Sequence, residues 1–446
     1  MISYKKFSIY GVSGLPRFGE FQGANNFKIE ELTPYQENIS LYVHIPFCQQ
    51  GCNFCQLRFG GIVVNSIPQI YIDTLISEIS IISKFYYNKI IDSIHFGGGT
   101  PSLLNEIQFK GIITSIKNNF NCSDDISVSI EGDADSFINS KLIYALQDNK
   151  VKNISIGVQT FDEELRSILG RRDSIENIYL LKDILSKFKQ IDLNIDYLYN
   201  LPQMSNSVIE KDINIINTLS PHSIDIHPLK YSSCNYNLLK TIFDKKYILP
   251  DTQRRIFEFN LLRSNFTDMG YEEIFVGYYS KGNNVNKYLL RLHNLLGGEY
   301  IGIGLGARSY YGDYSFSNTF NLKDYYSMIN ASNIKPISRY VFAPLSDNFI
   351  TLFPKRGKEL HFSDIDISKE RDYFYDVLFM LERGEYLKNE SKSFKMTTNG
   401  YNWYQNMMES LLSISQKKLH IENLRNRAKI FNDFNNFFDS IGSEYV

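Results

Sequence analysis

The sequence predicts an α/β protein organised as an incomplete (β/α)6 barrel with a helical C-terminal domain. From Ile39 to Leu229, short apolar runs bounded by turn signals alternate with stretches of helical periodicity, the pattern of βαβ units around a parallel sheet. Polar or glycine-rich motifs directly follow several of these runs, where the chemistry of a barrel gathers. From about Leu322 the alternation stops. The 446 residues are enough for one barrel and a smaller second unit.

The first predicted helix shows the periodicity most clearly, because Ile72, Leu75, Ile76 and Ile79 share one helical face. The six predicted strands are Leu41–Ile45, Ile91–Phe96, Ile126–Ile130, Asn153–Gly157, Ile191–Leu198 and Ser223–Leu229. The helices between and after them are Ile67–Tyr86, Glu106–Asn119, Phe137–Gln147, Ile175–Phe188 and Val208–Leu219. Three further helices are predicted near the C-terminus, at Lys369–Glu385, Tyr401–Ser415 and Ile421–Phe438.

Composition and charge argue against several classes of protein. Lys and Arg total 47 against 49 Asp and Glu, a formal net charge of -2, and no basic cluster suited to nucleic acid is present. No run approaches the roughly 18 apolar residues of a membrane span, and the N-terminus lacks the apolar core of a signal peptide. We therefore expect a cytoplasmic protein with neither nucleic acid nor membrane as a partner.

A cysteine-rich loop follows the first strand. Three of the five cysteines, Cys48, Cys52 and Cys55, lie within eight residues, and thiolates of this kind suit zinc or an iron–sulfur cluster. A structural zinc site takes four ligands, whereas neither Cys122 nor Cys234 belongs to a second paired motif. Three thiolates on a cubane cluster would leave one iron open to a ligand that is not protein. The loop therefore favours a catalytic cluster, with a zinc-bound structural module as the alternative.

The run from Tyr42 through His44-Ile-Pro-Phe-Cys48 to Cys55 resembles the CxxxCxxC signature of radical S-adenosylmethionine (SAM) enzymes. Within them it is similar to the oxygen-independent coproporphyrinogen oxidase-like group. The resemblance implies a 4Fe–4S cluster whose open iron is chelated by SAM, and one-electron cleavage of SAM to methionine and a 5′-deoxyadenosyl radical. It also implies a partial barrel whose mouth is closed by a winged-helix-like C-terminal unit.

Motifs at the ends of the next strands match the family's SAM site in the same chain order. They are GGGTP at 97–101, the acid after the third strand, SIGVQTF at 155–161 with LGR at 169–171, and NIDYLYNLP at 194–202. The implied SAM contacts are Tyr42, Phe54, Gly98, Gly99, Thr100, Glu131, Gln159, Arg171 and Asp196, with Cys48, Cys52 and Cys55 as the cluster ligands. After the sixth strand, Asp225-Ile-His227 departs from the porphyrin enzymes, and His227 is interpreted as a core histidine.

The family contains several reactions. Coproporphyrinogen oxidases often carry a further cysteine two residues after the third, where this chain has Leu57. A Gly-Arg-Arg-Asp run at 170–173 and the segment Gly400–Trp403 resemble the anaerobilin synthases and methyltransferases of the group. We therefore expect a radical SAM enzyme that uses two SAM molecules on a tetrapyrrole or other flat heteroaromatic. The alternatives are an oxygen-independent coproporphyrinogen III oxidase, acting by oxidative decarboxylation, and a haem-binding chaperone.

The expected organisation has three parts: an N-terminal extension at 1–39, a radical SAM partial barrel at 40–320 and a helical domain at 321–446. A flavodoxin- or ferredoxin-type protein is the electron donor that the resemblance implies.

Overall fold

A computed structural model describes residues 21–22, 35–55, 62–139, 142–188, 190–231, 235–282, 285–293, 295–312, 314–331, 340–342, 344–357, 359–414 and 417. The strands, β1 to β18 in chain order, are Phe21–Gln22, Asn38–Ile45, Phe47–Cys48, Ile62–Val63, Ile90–Gly98, Asn121–Gly132, Val151–Gln159, Asp192–Tyr199, Ser223–Pro228, Glu272–Phe275, Tyr278–Ser280, Tyr300–Ile303, Arg308–Tyr311, Tyr314–Ser317, Tyr340–Phe342, Leu360–His361, Leu387–Asn389 and Ser393–Met396. The α-helices, α1 to α17, are Gln69–Ile82, Glu106–Asn119, Ala134–Asn139, Leu142–Asp148, Glu163–Leu169, Ile175–Leu185, Asn206–Leu219, Tyr236–Asp244, Thr252–Asp268, Lys287–Leu292, Leu322–Asn330, Leu345–Thr351, Phe353–Arg356, Phe362–Asp366, Arg371–Arg383, Thr398–Asn402 and Tyr404–Ser410.

The barrel wall consists of parallel strands that follow one another in chain order. Strands β2, β5, β6, β7, β8 and β9 are hydrogen-bonded side by side, and helices connect each strand to the next. These are the six strands predicted from the apolar runs, so the predicted α/β architecture is confirmed. Because the strands are parallel, their C-terminal ends meet at one edge, which is where the candidate site lies.

The sheet continues on both sides of this wall. On one side β12 pairs in parallel with β2, and antiparallel strands β13, β14, β15 and β1 extend from it. On the other side β11 and β10 pair antiparallel beyond β9. The sequence does not predict these strands, because they are two to four residues long and carry too short a pattern. The sequence places β1 in the expected N-terminal extension, 1–39, and β15 in the expected helical domain, 321–446. Both strands nevertheless belong to the large sheet, so the boundaries at 39/40 and 320/321 stay a prediction.

Alternation along the wall strands separates an apolar outer face from a polar lumen. In β2, Leu41, Val43 and Ile45 are fully buried, whereas Tyr42 and His44 between them keep exposed surface. Side chains alternate between the two faces of a strand, so the apolar set packs beneath the helices and the polar set points into the barrel.

Two of the predicted barrel helices show how local sequence determines their limits. Helix α2 has the predicted limits, and Asn105 and Gln108 form a reciprocal capping box at its start. The helix predicted at 137–147 instead begins at Ala134, where Asp133 accepts a hydrogen bond from the Ser136 backbone N–H at 2.8 Å. A second helix, α4, follows it.

The C-terminal part has a core of its own, built by α12 to α17 and a small antiparallel sheet in the order β16, β18, β17. The helix predicted at 369–385 is α15, and the one predicted at 401–415 is divided into α16 and α17 at Trp403. The helix predicted at 421–438 lies outside the described residues. Among the helices that the structure describes, none combines the length and the apolar character needed to cross a membrane.

Candidate cofactor site at the C-terminal edge of the barrel

The cysteine loop begins where β2 ends. Short strand β3 carries Cys48 and pairs with β4, and the loop is attached to α5 by the backbone N–H of Asn53, which donates to the Leu169 carbonyl at 2.8 Å. Cys48, Cys52 and Cys55 are partly exposed and not in disulfides. Burial raises the pKa of the Cys48 thiol. In the described part of the chain, no group of three His, Cys, Asp or Glu side chains is placed to hold a single metal ion.

The glycine motif at the end of β5 lies directly against this loop. The backbone N–H of Gly99 donates to the Ile45 carbonyl, and that of Thr100 donates to the Phe47 carbonyl, both at 2.7 Å. A Cβ atom on Gly99 would lie 2.9 Å from the Cys48 sulfur. The structure thus brings the predicted Gly98–Thr100 segment and the first cysteine together.

Arg171 approaches the loop from the end of α5. Its Nη1 lies 3.9 Å from the Cys52 sulfur, while Nη2 pairs with Asp173 at 2.7 Å. Gln159, at the end of β7, has a φ of 70°, and a Cβ atom on Gly157 would lie 2.6 Å from its Nε2. Non-glycine residues with positive φ are uncommon and concentrate at functional sites. Both predicted side chains therefore lie on this edge, held in specific conformations.

Glu131 is oriented by a histidine that sequence reasoning missed. His95 Nε2 lies 2.9 Å from Glu131 Oε1, and its Nδ1 lies 2.8 Å from the Ser129 hydroxyl. The imidazole is stacked on Tyr288 at 4.5 Å and on Tyr42 at 6.0 Å between ring centroids. The alternation of side chains along the strand places His95 on the lumen side, and this was the available signal for its role. Its Tyr288 partner was not predictable, because it lies 193 positions away along the chain.

The remaining predicted residues also lie on or near the lumen. The Tyr42 hydroxyl is 2.9 Å from His44 Nδ1, and burial lowers the pKa of His44 to about 4. Asp196 accepts hydrogen bonds from Ser155 at 3.1 Å and Asn194 at 3.0 Å. Burial and then the charge of Glu131 raise the pKa of Asp196 to about 7.

Phe54 lies within the cysteine loop itself. Its ring packs partly buried against the main core, and its carbonyl accepts a hydrogen bond from the Asn235 side chain. Its predicted SAM contact stays a prediction.

A second polar group lines the β8–β9 side of the lumen. Asp225 and His227 project from β9, Tyr278 from β11, and Lys355 enters from α13 of the C-terminal part. His227 makes an edge contact with Tyr278 at 5.4 Å, which agrees with its interpretation as a packed histidine. Burial lowers the pKa of Lys355 to about 7. Nothing in the sequence around Lys355 indicates that it reaches the barrel.

Comparison with known proteins finds a radical SAM domain and relatives that match over most of the chain. The profile of the radical SAM superfamily matches residues 42–213, which contain the second half of β2, the cysteine loop and β3 to β8. The oxygen-independent coproporphyrinogen III oxidase of Salmonella typhimurium is 26% identical over 345 residues, covering 72% of this chain and 74% of the relative. The haem chaperone HemW of Buchnera aphidicola subsp. Acyrthosiphon pisum is 26% identical over 393 residues, covering 84% of this chain and 98% of the relative.

The solved coproporphyrinogen III oxidase (HemN) of Escherichia coli has the same fold, with a TM-score of 0.75 and 22% identity over 88% of this chain and 95% of that one. Residues 42–213 therefore match a radical SAM domain, and over most of its length the chain is similar to the HemN-like group of coproporphyrinogen III oxidases and haem chaperones.

The family implies a 4Fe–4S cluster and SAM, and the residues present suit both. Three thiol groups on one loop supply the sulfur ligands that such clusters take. Arg171 places a positive charge beside Cys52, where a thiolate ligand would carry negative charge. At Gly99, only a residue without a side chain leaves the space next to Cys48 open.

Proposed function

We propose that this chain is a radical SAM enzyme that acts on a tetrapyrrole by oxidative decarboxylation, as the name of its coproporphyrinogen oxidase relatives suggests. The observation that carries the proposal is the arrangement of three thiols that form no disulfide, the Gly98–Thr100 backbone and Arg171 on one edge of a parallel barrel. A 4Fe–4S cluster held by Cys48, Cys52 and Cys55 would supply the electron for cleavage of SAM.

The surrounding residues would bind and orient the cosubstrate. Glu131, held by His95, offers a carboxylate to hydroxyl or ammonium groups. Arg171, whose Nη2 is paired with Asp173, would contribute its positive charge to the same space. Gln159 at the end of β7 and Asp196 in β8 would line the lumen side of the same space. Equilibrium dialysis measures how many SAM molecules each protein binds. Two equivalents would agree with the number expected from the sequence, and one would not.

The methyl transfer or ring opening expected from the sequence has no specific support among the relatives. Its two sequence cues also have packing explanations. In the Gly-Arg-Arg-Asp run, Asp173 forms ion pairs with both Arg166 at 3.1 Å and Arg171 at 2.7 Å. In the Gly400–Trp403 segment, a Cβ atom on Gly400 would lie 2.3 Å from the Tyr386 carbonyl oxygen. These contacts give Asp173 and Gly400 structural roles, while Arg171 of the first run also lies beside Cys52.

The test is anaerobic reconstitution with iron and sulfide, followed by reduction in the presence of SAM and coproporphyrinogen III. We expect 5′-deoxyadenosine together with a decarboxylated product. Serine variants of Cys48, Cys52 or Cys55 should lose iron and activity, whereas Cys122→Ser, a half-buried free thiol outside the loop, should keep both. Absence of 5′-deoxyadenosine under all these conditions would refute the proposal.

A haem chaperone is the second candidate, because the HemW relative aligns over 98% of its own length. This function predicts stoichiometric haem binding and transfer to an acceptor protein without consumption of SAM. Following haem absorbance and SAM products in one incubation separates the two functions.

The electron donor would approach over the cysteine loop, where Gln49 and Gly51 are exposed. We propose a flavodoxin- or ferredoxin-type protein for this role. A rate of SAM cleavage that saturates with added flavodoxin would support it, and a rate independent of flavodoxin would not.

A further inference from the structure

The turn that ends β7 holds Gln159 in an unusual conformation. Its φ is 70°, in the left-handed region that residues other than glycine rarely adopt. The Thr160 backbone N–H donates to the Val158 carbonyl at 2.9 Å, which closes a tight turn of three residues around Gln159. A residue in such a conformation persists only where the surrounding structure fixes it. The contacts of this turn therefore identify the groups that hold Gln159 in place.

The conformation places the Gln159 amide beside the arginine that approaches the cysteine loop. A Cβ atom on Gly157 would lie 2.6 Å from Gln159 Nε2 and 4.0 Å from Arg171 Nη1. The same guanidinium nitrogen lies 3.9 Å from the Cys52 sulfur. The space over Gly157 is therefore bordered by two side chains that are both predicted to contact SAM.

A buried arginine fixes the two carbonyls that flank the left-handed residue. Arg166 of α5 is 4% exposed, and its Nη1 donates to the Val158 carbonyl at 2.7 Å and to the Thr160 carbonyl at 3.2 Å. Its Nη2 donates to the Asp173 carbonyl at 2.7 Å and lies 3.1 Å from Asp173 Oδ2. One guanidinium, with its planar fork of donors, thus joins the turn to the loop that follows α5.

A buried carboxylate of α7 holds the residues that come next. Asp212 is fully buried, and it accepts hydrogen bonds from the Thr160 hydroxyl at 2.6 Å and from the Phe161 backbone N–H at 3.2 Å. The Tyr197 hydroxyl of β8 donates to the same carboxylate at 3.1 Å. Burial raises the pKa of Asp212 to about 6, an effect that these three hydrogen bonds oppose. At neutral pH the carboxylate is therefore mostly ionised, which strengthens its hydrogen bonds to the turn.

We propose that Arg166 and Asp212 are positioning residues for SAM, which act by holding the Gln159 amide beside Arg171. The inference rests on the proposed function, because it concerns the cosubstrate of that function, and it adds two buried residues to the site. Neither belongs to the set of SAM contacts expected from the sequence. The alternative is a purely structural role, since the same contacts also anchor the start of α5.

A double-mutant cycle with Gln159 separates these two roles. Equilibrium dialysis of the reconstituted protein under anaerobic conditions gives the affinity for SAM. Arg166→Lys keeps the positive charge, but a single ammonium group cannot replace the planar fork. We expect Arg166→Lys and Gln159→Ala each to bind SAM about tenfold more weakly, the effect of one hydrogen bond to a charged group. The double variant should lie within about twofold of Gln159→Ala, because the arginine acts through the glutamine.

Independent effects would give a different result. A loss of about a hundredfold in the double variant would assign Arg166 a structural role only, and an unchanged affinity in either single variant would also overturn the inference. The control is Arg263→Lys in α9, which disrupts an ion pair with Glu273 made through two contacts of 2.8 Å. It should keep the wild-type affinity for SAM.

Thr160→Val tests the Asp212 side of the turn and does not depend on the folding of Arg166→Lys. It nearly preserves the shape of the side chain and removes the hydroxyl that donates to Asp212. SAM binding should weaken about fivefold, and this effect should vanish in the Gln159→Ala background. Wild-type affinity in Thr160→Val would contradict the role of Asp212. Wild type that binds no SAM would refute the proposed function together with this inference, whereas SAM binding with additive cycles would overturn this inference alone.

Discussion

Replacing Gly99 with alanine tests how closely the glycine motif and the cysteine loop are joined. The added Cβ would lie 2.5 Å from the Phe47 carbonyl oxygen and 2.9 Å from the Cys48 sulfur, where ordinary contacts begin near 3.4 Å. The carbonyl cannot withdraw freely, because it accepts the Thr100 N–H at 2.7 Å, and Gly99 itself donates to Ile45 at the same distance. Relief therefore needs a displacement of about 0.9 Å within the site.

Overpacking of this kind costs about 1–3 kcal/mol, which corresponds to roughly a 5- to 150-fold change in a binding equilibrium. We expect Gly99→Ala to bind SAM at least fivefold more weakly in equilibrium dialysis and to retain less iron after reconstitution. The control is Gly111→Ala in α2, where the nearest atom to the new Cβ is Ile76 Cδ1 at 3.6 Å. A Gly99→Ala variant with the iron content and SAM affinity of wild type would refute the reasoning.

Three further variants test other parts of the account. His95→Phe keeps the ring stack but removes the hydrogen-bond partner of Glu131. The affinity for SAM should therefore fall about tenfold and recover in His95→Gln. An unchanged affinity in His95→Phe would exclude a positioning role for His95. Arg171→Leu removes the positive charge beside Cys52. Redox titration should therefore give a midpoint potential of the cluster about 60 mV lower than in wild type, which is roughly 1.4 kcal/mol for one electron. A higher midpoint potential would contradict this. Burial raises the pKa of Glu78 to about 7. Its stabilising contribution is therefore complete below pH 4.5 and is lost as the pH rises through 7, so urea unfolding at pH 5 and pH 8 should show wild type losing about 2.5 kcal/mol relative to Glu78→Gln. Parallel pH profiles of the two proteins would contradict that last expectation.

The sequence was informative where function depends on strand ends. Each predicted parallel strand ends in a residue type with a chemical reason to be there, and parallel pairing alone then brings Cys48, Gly99, Glu131, Gln159 and Asp196 to one edge. The assignment of these residues as SAM contacts came from the resemblance to radical SAM enzymes and not from strand pairing. The sequence therefore predicted which residues share this edge, and their roles stay a prediction.

What the sequence could not predict depends on contacts between distant segments. Strand β12, Tyr300–Ile303, was not predicted, because Gly302 interrupts its apolar run. Glycine is needed there, since a Cβ atom would lie 2.3 Å from the Arg308 carbonyl oxygen. Lys355 reaches the lumen only because α13 packs on the barrel and its side chain finds the Val276 carbonyl, 79 residues earlier. Polar residues alternate along β8 and β9, and this was the available signal that Asp196 and Asp225 lie on one face of the sheet. The buried Asn194 amide oxygen, which has no hydrogen-bond partner among the described residues, is visible only in three dimensions.

We propose that the thiolates of Cys48, Cys52 and Cys55 hold a four-iron cluster and leave one iron open for SAM. Mössbauer spectroscopy of wild-type protein reconstituted with ⁵⁷Fe, recorded before and after addition of SAM, tests this most directly. We expect one iron site in four to change its isomer shift when SAM binds. A spectrum that SAM leaves unaltered, or metal analysis that finds a single zinc ion in place of iron, would contradict it.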